Sequence, residues 1–185
     1  MIITLYGNNK TLTSTASRAI NVSGADGVTI KNLAIRCSGE RGINIIQKAT
    51  NVTIENVTAV AANYTVNVAS SASGAIVHIQ DCDLTGLNVV NVAAAGANIT
   101  IDSTTITCND QNSAENYSAI CLNRDAVGGK VIATNVTIHV KGDSVVATNG
   151  AVDGVIMING SSEGVVGIVA YIAYGDYYYS FASLE

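Results

Sequence analysis

The stretch Val28–Ile35, VTIKNLAI, decides the fold of this chain, because it joins two short runs of alternating apolar residues through one asparagine. The phrase returns as VTIENV, starting at Val52. Alternation with a period of two predicts β-strands that bury their Val and Ile side chains on one side. Weaker copies of the phrase begin at Val77, Ile99, Val131 and Val155.

A second short strand is predicted before each copy of the phrase. The clearest examples begin at Ile20, Ile43, Val66 and Val90, which are almost evenly spaced. Less faithful copies are Ile120–Leu122 and Val145–Ala147. A repeat in the low twenties that contains three short strands predicts a single-stranded right-handed parallel β-helix of about seven coils. A leucine-rich repeat is excluded because its leucine skeleton is missing.

An asparagine stands at the corner between the two apolar runs of the phrase. A sharp bend there needs a left-handed backbone, which Asn and Asp tolerate better than other residues with side chains. Stacked coils would place these amides above one another, so we expect a hydrogen-bonded ladder. The corner column comprises Asn32, Asn56, Asp81, Ser103, Asn135 and Asn159.

The composition limits the classes of partner. Apolar residues make up 48% of the 185 residues and charged residues only 12%, with a net charge of −5. Because no basic run occurs, we predict no nucleic-acid partner. Because no stretch of 18 apolar residues occurs, we predict no membrane insertion.

The phrase and the coil length resemble the pectate-lyase-like superfamily of right-handed parallel β-helices. The chain opens inside a strand that turns at Gly7–Asn9, without a cap, which favours a piece of a longer protein. The segment Ala170–Tyr179 holds five of the eight tyrosines. It is either a final hairpin that caps the last coil or, by its resemblance, the link phrase of bacterial cell-surface, adhesin-like members. We therefore divide the chain into a β-helix, residues 1–169, and a tyrosine-rich C-terminal strand or link to a following module, residues 170–185.

The resemblance covers polysaccharide lyases, glycoside hydrolases, adhesins and structural surface modules. The polygalacturonase-like members carry an Asp pair, a Gly-His-Gly and an Arg-x-Lys, none of which this sequence contains. The outward column Asn21, Asn44, Asn67 and Asn91 has no acid or base, whereas an inverting hydrolase needs two carboxyl groups on one face. His78 and His139 fall in different columns and are predicted to be solvated. We predict no catalytic residue, no cofactor and no enzyme activity.

Two other clusters leave alternatives open. Asp81, Asp83 and Asp102 suit either calcium binding or ordinary turns, and turns are preferred, so no metal site is predicted. Lys31 and Glu55 are expected to pair across neighbouring coils. The four cysteines are either small buried side chains or, in an oxidising compartment, include a bond between Cys108 and Cys121.

The candidate ligand-facing surface is the column Asn21, Asn44, Asn67 and Asn91, with Tyr117 from the inserted loop 109–118 beside it. Amides both donate and accept hydrogen bonds, which suits a glycan. The expected function is a non-enzymatic structural or adhesive module of a larger bacterial cell-surface protein, extracellular or at the cell surface. Its expected partners are a glycan or a host or cell-surface protein, and neighbouring modules of the same polypeptide. The alternatives are a carbohydrate-binding or carbohydrate-processing β-helix whose catalytic part lies outside this chain, and a trimeric phage-type fibre.

Overall fold

The computed structural model describes residues 2–109, 118–140, 147–148, 151–152, 154–158, 165–174 and 177–181, with side chains as far as His139. Two sheets of stacked strands run side by side along the described part of the chain. The first sheet contains β1 (Ile3–Ser14), β3 (Asp26–Cys37), β5 (Thr50–Ala61), β7 (Ile76–Gln80), β8 (Asp83–Gly86), β10 (Asn98–Asp102), β11 (Thr105–Cys108), β13 (Lys130–Val140), β17 (Val165–Tyr174) and β18 (Tyr177–Phe181). The second contains β2 (Arg18–Ser23), β4 (Arg41–Ile46), β6 (Tyr64–Val68), β9 (Val90–Val92), β12 (Ser118–Leu122) and β16 (Gly154–Ile158).

The chain winds from one sheet to the other and back, and strands of successive coils pair in parallel within each sheet. This arrangement confirms the predicted all-β parallel β-helix. Seven layers of strands are stacked in the first sheet: β1, β3, β5, β7 with β8, β10 with β11, β13 and β17. They correspond to the predicted number of about seven coils.

The number of strands per coil varies along the chain. In the first three coils one long strand bends at the corner, and a short strand of the second sheet completes the coil. In the next two coils the long strand is divided, into β7 and β8 and then into β10 and β11. The predicted three strands per coil are therefore found in the coils where the corner interrupts the strand of the first sheet. In the other coils the two predicted strands on either side of the corner form one continuous strand.

Aliphatic side chains from successive coils stack into continuous interior files. Ile30, Ile54, Ile79 and Ile101 occupy one register position, and each has at most 1% of its surface exposed. Burial of this kind contributes on the order of 2 kcal/mol per aliphatic side chain. Leu5 begins the same file, where it is 42% exposed. The predicted single interior file is confirmed.

The corner column adopts the left-handed backbone that the sequence predicts. The φ angles lie between 48° and 54° at all five members that the structure describes, and Asn159 lies outside the described residues. The amide of Asn56 donates to Oδ1 of Asn32 over 2.7 Å. The ladder does not continue through Asp81 and Ser103. The described members of this column are Asn32, Asn56, Asp81, Ser103 and Asn135.

The assignment of the last phrase copy was wrong. The stretch starting at Val155 lies in β16, which pairs with β12 in the second sheet instead of continuing the first. The first sheet continues in β17, where Val166 is the partner of Val131. The regular spacing failed because this coil is longer and contains an antiparallel pair, β14 (Ala147–Thr148) and β15 (Ala151–Val152). That pair also takes Ala147 out of the predicted second-sheet strand Val145–Ala147.

The tyrosine-rich segment forms an antiparallel strand pair. β17 runs parallel to β13, and β18 folds back on β17 with Tyr174 opposite Tyr177. β17 begins before residue 170 and ends after it, so the boundary between residues 169 and 170 stays a prediction. In the part of the chain that the structure describes, no helix has the length and apolar character needed to cross a membrane.

Two substitutions at Asn56 test the left-handed corner. Asn56→Gly and Asn56→Ala both remove the amide that bonds to Asn32, but only alanine carries a Cβ that opposes a positive φ. We expect the alanine variant to be about 1 kcal/mol less stable than the glycine variant, measured by urea unfolding. Equal stabilities would contradict a strained corner at this position.

Candidate ligand site

The predicted asparagine column forms a hydrogen-bonded ladder along the second sheet. Asn21, Asn44, Asn67 and Asn91 are register partners in successive coils. Each Nδ2 donates to Oδ1 of the preceding asparagine, over 2.8, 2.7 and 2.7 Å. The ladder therefore has a direction, and its first member, Asn21, accepts one of these bonds and donates none.

Most of this column is buried, which the sequence did not predict. Asn44, Asn67 and Asn91 are 2%, 4% and 5% exposed, whereas Asn21 is exposed. All three buried amides form hydrogen bonds with neighbouring members of the ladder. The column is thus mainly internal reinforcement, and its predicted contact with a ligand stays a prediction. Tyr117 lies outside the described residues.

The exposed end of the ladder opens into a shallow cavity of about 250 Å³. Its polar lining is supplied by three coils: Arg18 and Asn21 from β2, Arg41 and Asn44 from β4, and Asn67 from β6. Ile46 and Ala69 add an apolar part. This cavity, called the arginine groove from here on, is where predicted site residues meet charged side chains.

The two arginines of the groove occupy the same position in neighbouring coils. Arg18 is the register partner of Arg41, so their backbones lie one strand spacing apart, about 4.8 Å. Arg41 donates from Nη2 to Oε1 of Glu40 over 2.9 Å. Its guanidinium also lies 5.5 Å from the ring centroid of Tyr64, the next residue in the column. These contacts hold the Arg41 side chain at the groove.

Gly42 allows the close coil packing beside Arg41. A Cβ at this position would lie 2.7 Å from the carbonyl oxygen of Thr65 in the next coil. Only a residue without a side chain fits this approach, so Gly42 fixes where β4 places Arg41 against the following coil.

Sequence reasoning missed the arginines. Arg18 and Arg41 are separated by one repeat, and each stands two positions before the Ile that begins its predicted strand. The repeat spacing therefore indicated that the two arginines lie side by side. The asparagine column, with its four members, was the more obvious repeated pattern.

A second cavity, of about 190 Å³, lies on the first sheet. Arg36 and Cys37 line it together with Thr13, Ser14, Ser38 and Val60. None of the predicted site residues reaches this cavity, so it adds nothing to the candidate site.

The two histidines lie apart on the first sheet. His78 is exposed, and its Nδ1 is 2.6 Å from Oγ1 of Thr100. His139 is exposed on β13 and pairs in register with Thr107. The prediction that both are solvated residues in different columns is confirmed.

The acidic cluster takes part in turn geometry. Asp81 occupies the corner with φ 54°. Oδ1 of Asp102 accepts from Ser103 over 3.3 Å and from Asn135 over 3.4 Å. Within residues 2–109 and 118–139, no group of three or more His, Cys, Asp or Glu side chains is placed to hold a metal ion.

The predicted pair between Lys31 and Glu55 is not formed, although the two residues are register partners. The ammonium of Lys31 lies instead 5.8 Å from the ring centroid of Tyr6, in the preceding coil. An exposed ion pair gains little over solvation, so the aromatic face is a competitive partner.

All four cysteines are buried, which agrees with the first of the two interpretations above. The alternative bond between Cys108 and Cys121 is not formed. The thiol of Cys108 donates to the carbonyl oxygen of Leu87 over 3.0 Å, and Cys121 is a buried free thiol. Burial raises the pKa of Cys82 and of Cys121 from 9.0 to about 11.

Comparison with known proteins adds no relative: no family model, no curated protein and no solved structure matches this chain. What is established is therefore the stacked parallel β-helix and the geometry of its sites.

The asparagine ladder predicts a graded cost of substitution. Asn67→Ala strands the oxygen of Asn44 and the amide of Asn91 inside the protein, whereas Asn21→Ala removes only one partner at the exposed end. We expect a loss of about 2–4 kcal/mol for Asn67→Ala and less than about 1.5 kcal/mol for Asn21→Ala, measured by urea unfolding. Similar losses at both positions would show that the ladder does not stabilise the interior.

The raised thiol pKa values predict slow alkylation. With a pKa of about 11, roughly one Cys82 or Cys121 thiol in a thousand is ionised at pH 8, and the thiolate is the reactive form. We expect iodoacetamide to modify both residues at least about 100-fold more slowly in the folded protein than in urea, followed by peptide mass spectrometry. Rapid modification of the folded protein would contradict their burial.

Proposed function

We propose that this chain is a non-enzymatic structural or adhesive module of a larger bacterial cell-surface protein, placed outside the cell. The observation that carries the proposal is the combination of interior aliphatic files with a buried amide ladder, both running from coil to coil. Together they make a scaffold that holds surface side chains in fixed register.

The direction of the hydrogen bonds suits a structural role. Strands of successive coils pair in parallel, so the backbone bonds join each coil to the next along the stacking direction. The asparagine ladder adds side-chain hydrogen bonds along the same stacking axis. Because each coil contacts only its neighbours, such a scaffold can be extended without a larger core.

The finer family assignment is part of the same proposal. The left-handed Asn at the corner and the coil of two to three strands support a relationship to the pectate-lyase-like superfamily. The tyrosine-rich strand pair supports similarity to the link phrase of adhesin-like surface modules. Neighbouring modules of the same polypeptide and a host or cell-surface protein are the proposed partners.

A second candidate function is carbohydrate binding, with any catalytic part outside this chain. One observation favours it: the arginine groove brings Asn21, Asn44 and Asn67 together beside the two arginines. Amide and guanidinium groups are the side chains that commonly bind sugar hydroxyls and acidic groups.

Bead adhesion under flow tests the proposed function. Beads coated with this protein are expected to be retained on a mucin-coated surface and not on an albumin-coated surface, with no soluble saccharide released. The control is beads coated with heat-unfolded protein, since adhesion by the scaffold requires fixed register. Release of saccharide that grows with time would show catalysis and contradict a non-enzymatic module.

A further inference from the structure

The arginine groove contains an excess of positive charge in an acidic protein. Arg18 and Arg41 stand one coil apart, and Glu40 offsets one of them. The groove thus has a formal charge of +1, whereas the whole chain has −5. Two like charges on neighbouring coils repel each other unless an anion or solvent lies between them.

Hydrogen-bond donors also outnumber acceptors in the groove. Among the described residues, Nδ2 of Asn21 has no protein partner, because the ladder runs toward its oxygen. Nε of Arg41 also has no hydrogen-bond partner, but it is buried and is not exposed to the groove. Arg18 uses Nη1 for a 3.3 Å bond to Ser17 and keeps its other donors. The group that complements such a lining is one that only accepts, which is an oxyanion.

The dimensions of the groove limit the ligand. A cavity of about 250 Å³ with Ile46 and Ala69 on its apolar side holds a small molecule or one unit of a longer one. The net negative charge of the chain opposes long-range attraction of a polyanion. A single oxyanion on a small polar ligand satisfies both limits.

We infer that the arginine groove is a binding site for one oxyanion group, a carboxylate or a sulfate ester, carried by a small polar ligand. Arg18 and Arg41 bind the anion from two neighbouring coils, and the amide of Asn21 donates a further hydrogen bond. The inference deepens the carbohydrate-binding candidate and depends on it only for the sugar part of the ligand.

Isothermal titration of the purified protein at low ionic strength tests the site with five probes: sodium sulfate, sodium acetate, glucose, glucose 6-sulfate and glucuronate. We expect both acidic sugars to bind at least about tenfold more tightly than glucose, because charge-assisted hydrogen bonds are the stronger ones. Of these two, the tighter ligand identifies the oxyanion that the groove takes.

Four variants test whether the binding takes place in the groove. Arg41→Gln and Arg18→Gln each remove one guanidinium and are expected to weaken the binding of the acidic sugars at least about tenfold. Arg36→Gln makes the same charge change in the other cavity and is expected to leave binding unchanged. Arg41→Lys keeps the charge without the fork of donors and is expected to bind with intermediate affinity. Circular dichroism checks that each variant is folded.

The outcomes separate the two proposals. Binding of sulfate or acetate with the same affinity as the matching acidic sugar supports the oxyanion site and overturns carbohydrate binding. Binding of glucose as tightly as the acidic sugars, in all variants, supports carbohydrate binding and overturns the oxyanion site. Absence of binding by every probe, or equal weakening by Arg36→Gln, overturns the inference.

Discussion

The structure depends on one constraint: each coil pairs in parallel register with the previous one, so every side chain lies on its own counterpart. The constraint favours residues that interact well with copies of themselves. Ile on Ile builds the interior files, and Asn on Asn builds the ladder. Charge on like charge is unfavourable at a spacing of about 4.8 Å. A low content of charged residues, 12%, follows from the same geometry.

The corners permit this register, because the chain must turn without disturbing the strands on either side. At five successive corners of the first sheet, from Asn32 to Asn135, one left-handed residue makes the turn. Where one Asn corner follows another, the amide also bonds to the coil below, as Asn56 does to Asn32. Where Asp81 or Ser103 replaces it, the turn remains and the ladder is lost. Backbone conformation is therefore the stricter requirement.

The sequence predicts the features that repeat and misses those that depend on loop length. The interior files and the corners recur once per coil, and the asparagine column recurs in four successive coils, so the sequence pattern alone located them. The first-sheet strands were placed correctly as far as the copy that begins at Val131. Beyond that point the coil contains an extra strand pair, and Val155 was assigned to the wrong sheet. The burial of Asn44, Asn67 and Asn91 could not be predicted from the sequence either. Alternation predicts on which side of a strand a side chain lies, but it does not predict whether other residues cover that side.

The arginine groove is an exception to the rule that like charges are not stacked in successive coils. The Lys31 column avoids repetition of charge, since its members are Tyr6, Lys31, Glu55 and Gln80 in successive coils. Arg18 and Arg41 instead place like charges in register, with one carboxylate from Glu40 and one ring from Tyr64 to compensate. These contacts stabilise Arg41 and leave Arg18 and the end of the amide ladder uncompensated. Like charges held in register in a regular scaffold repel each other, and an anion bound between them would offset that repulsion.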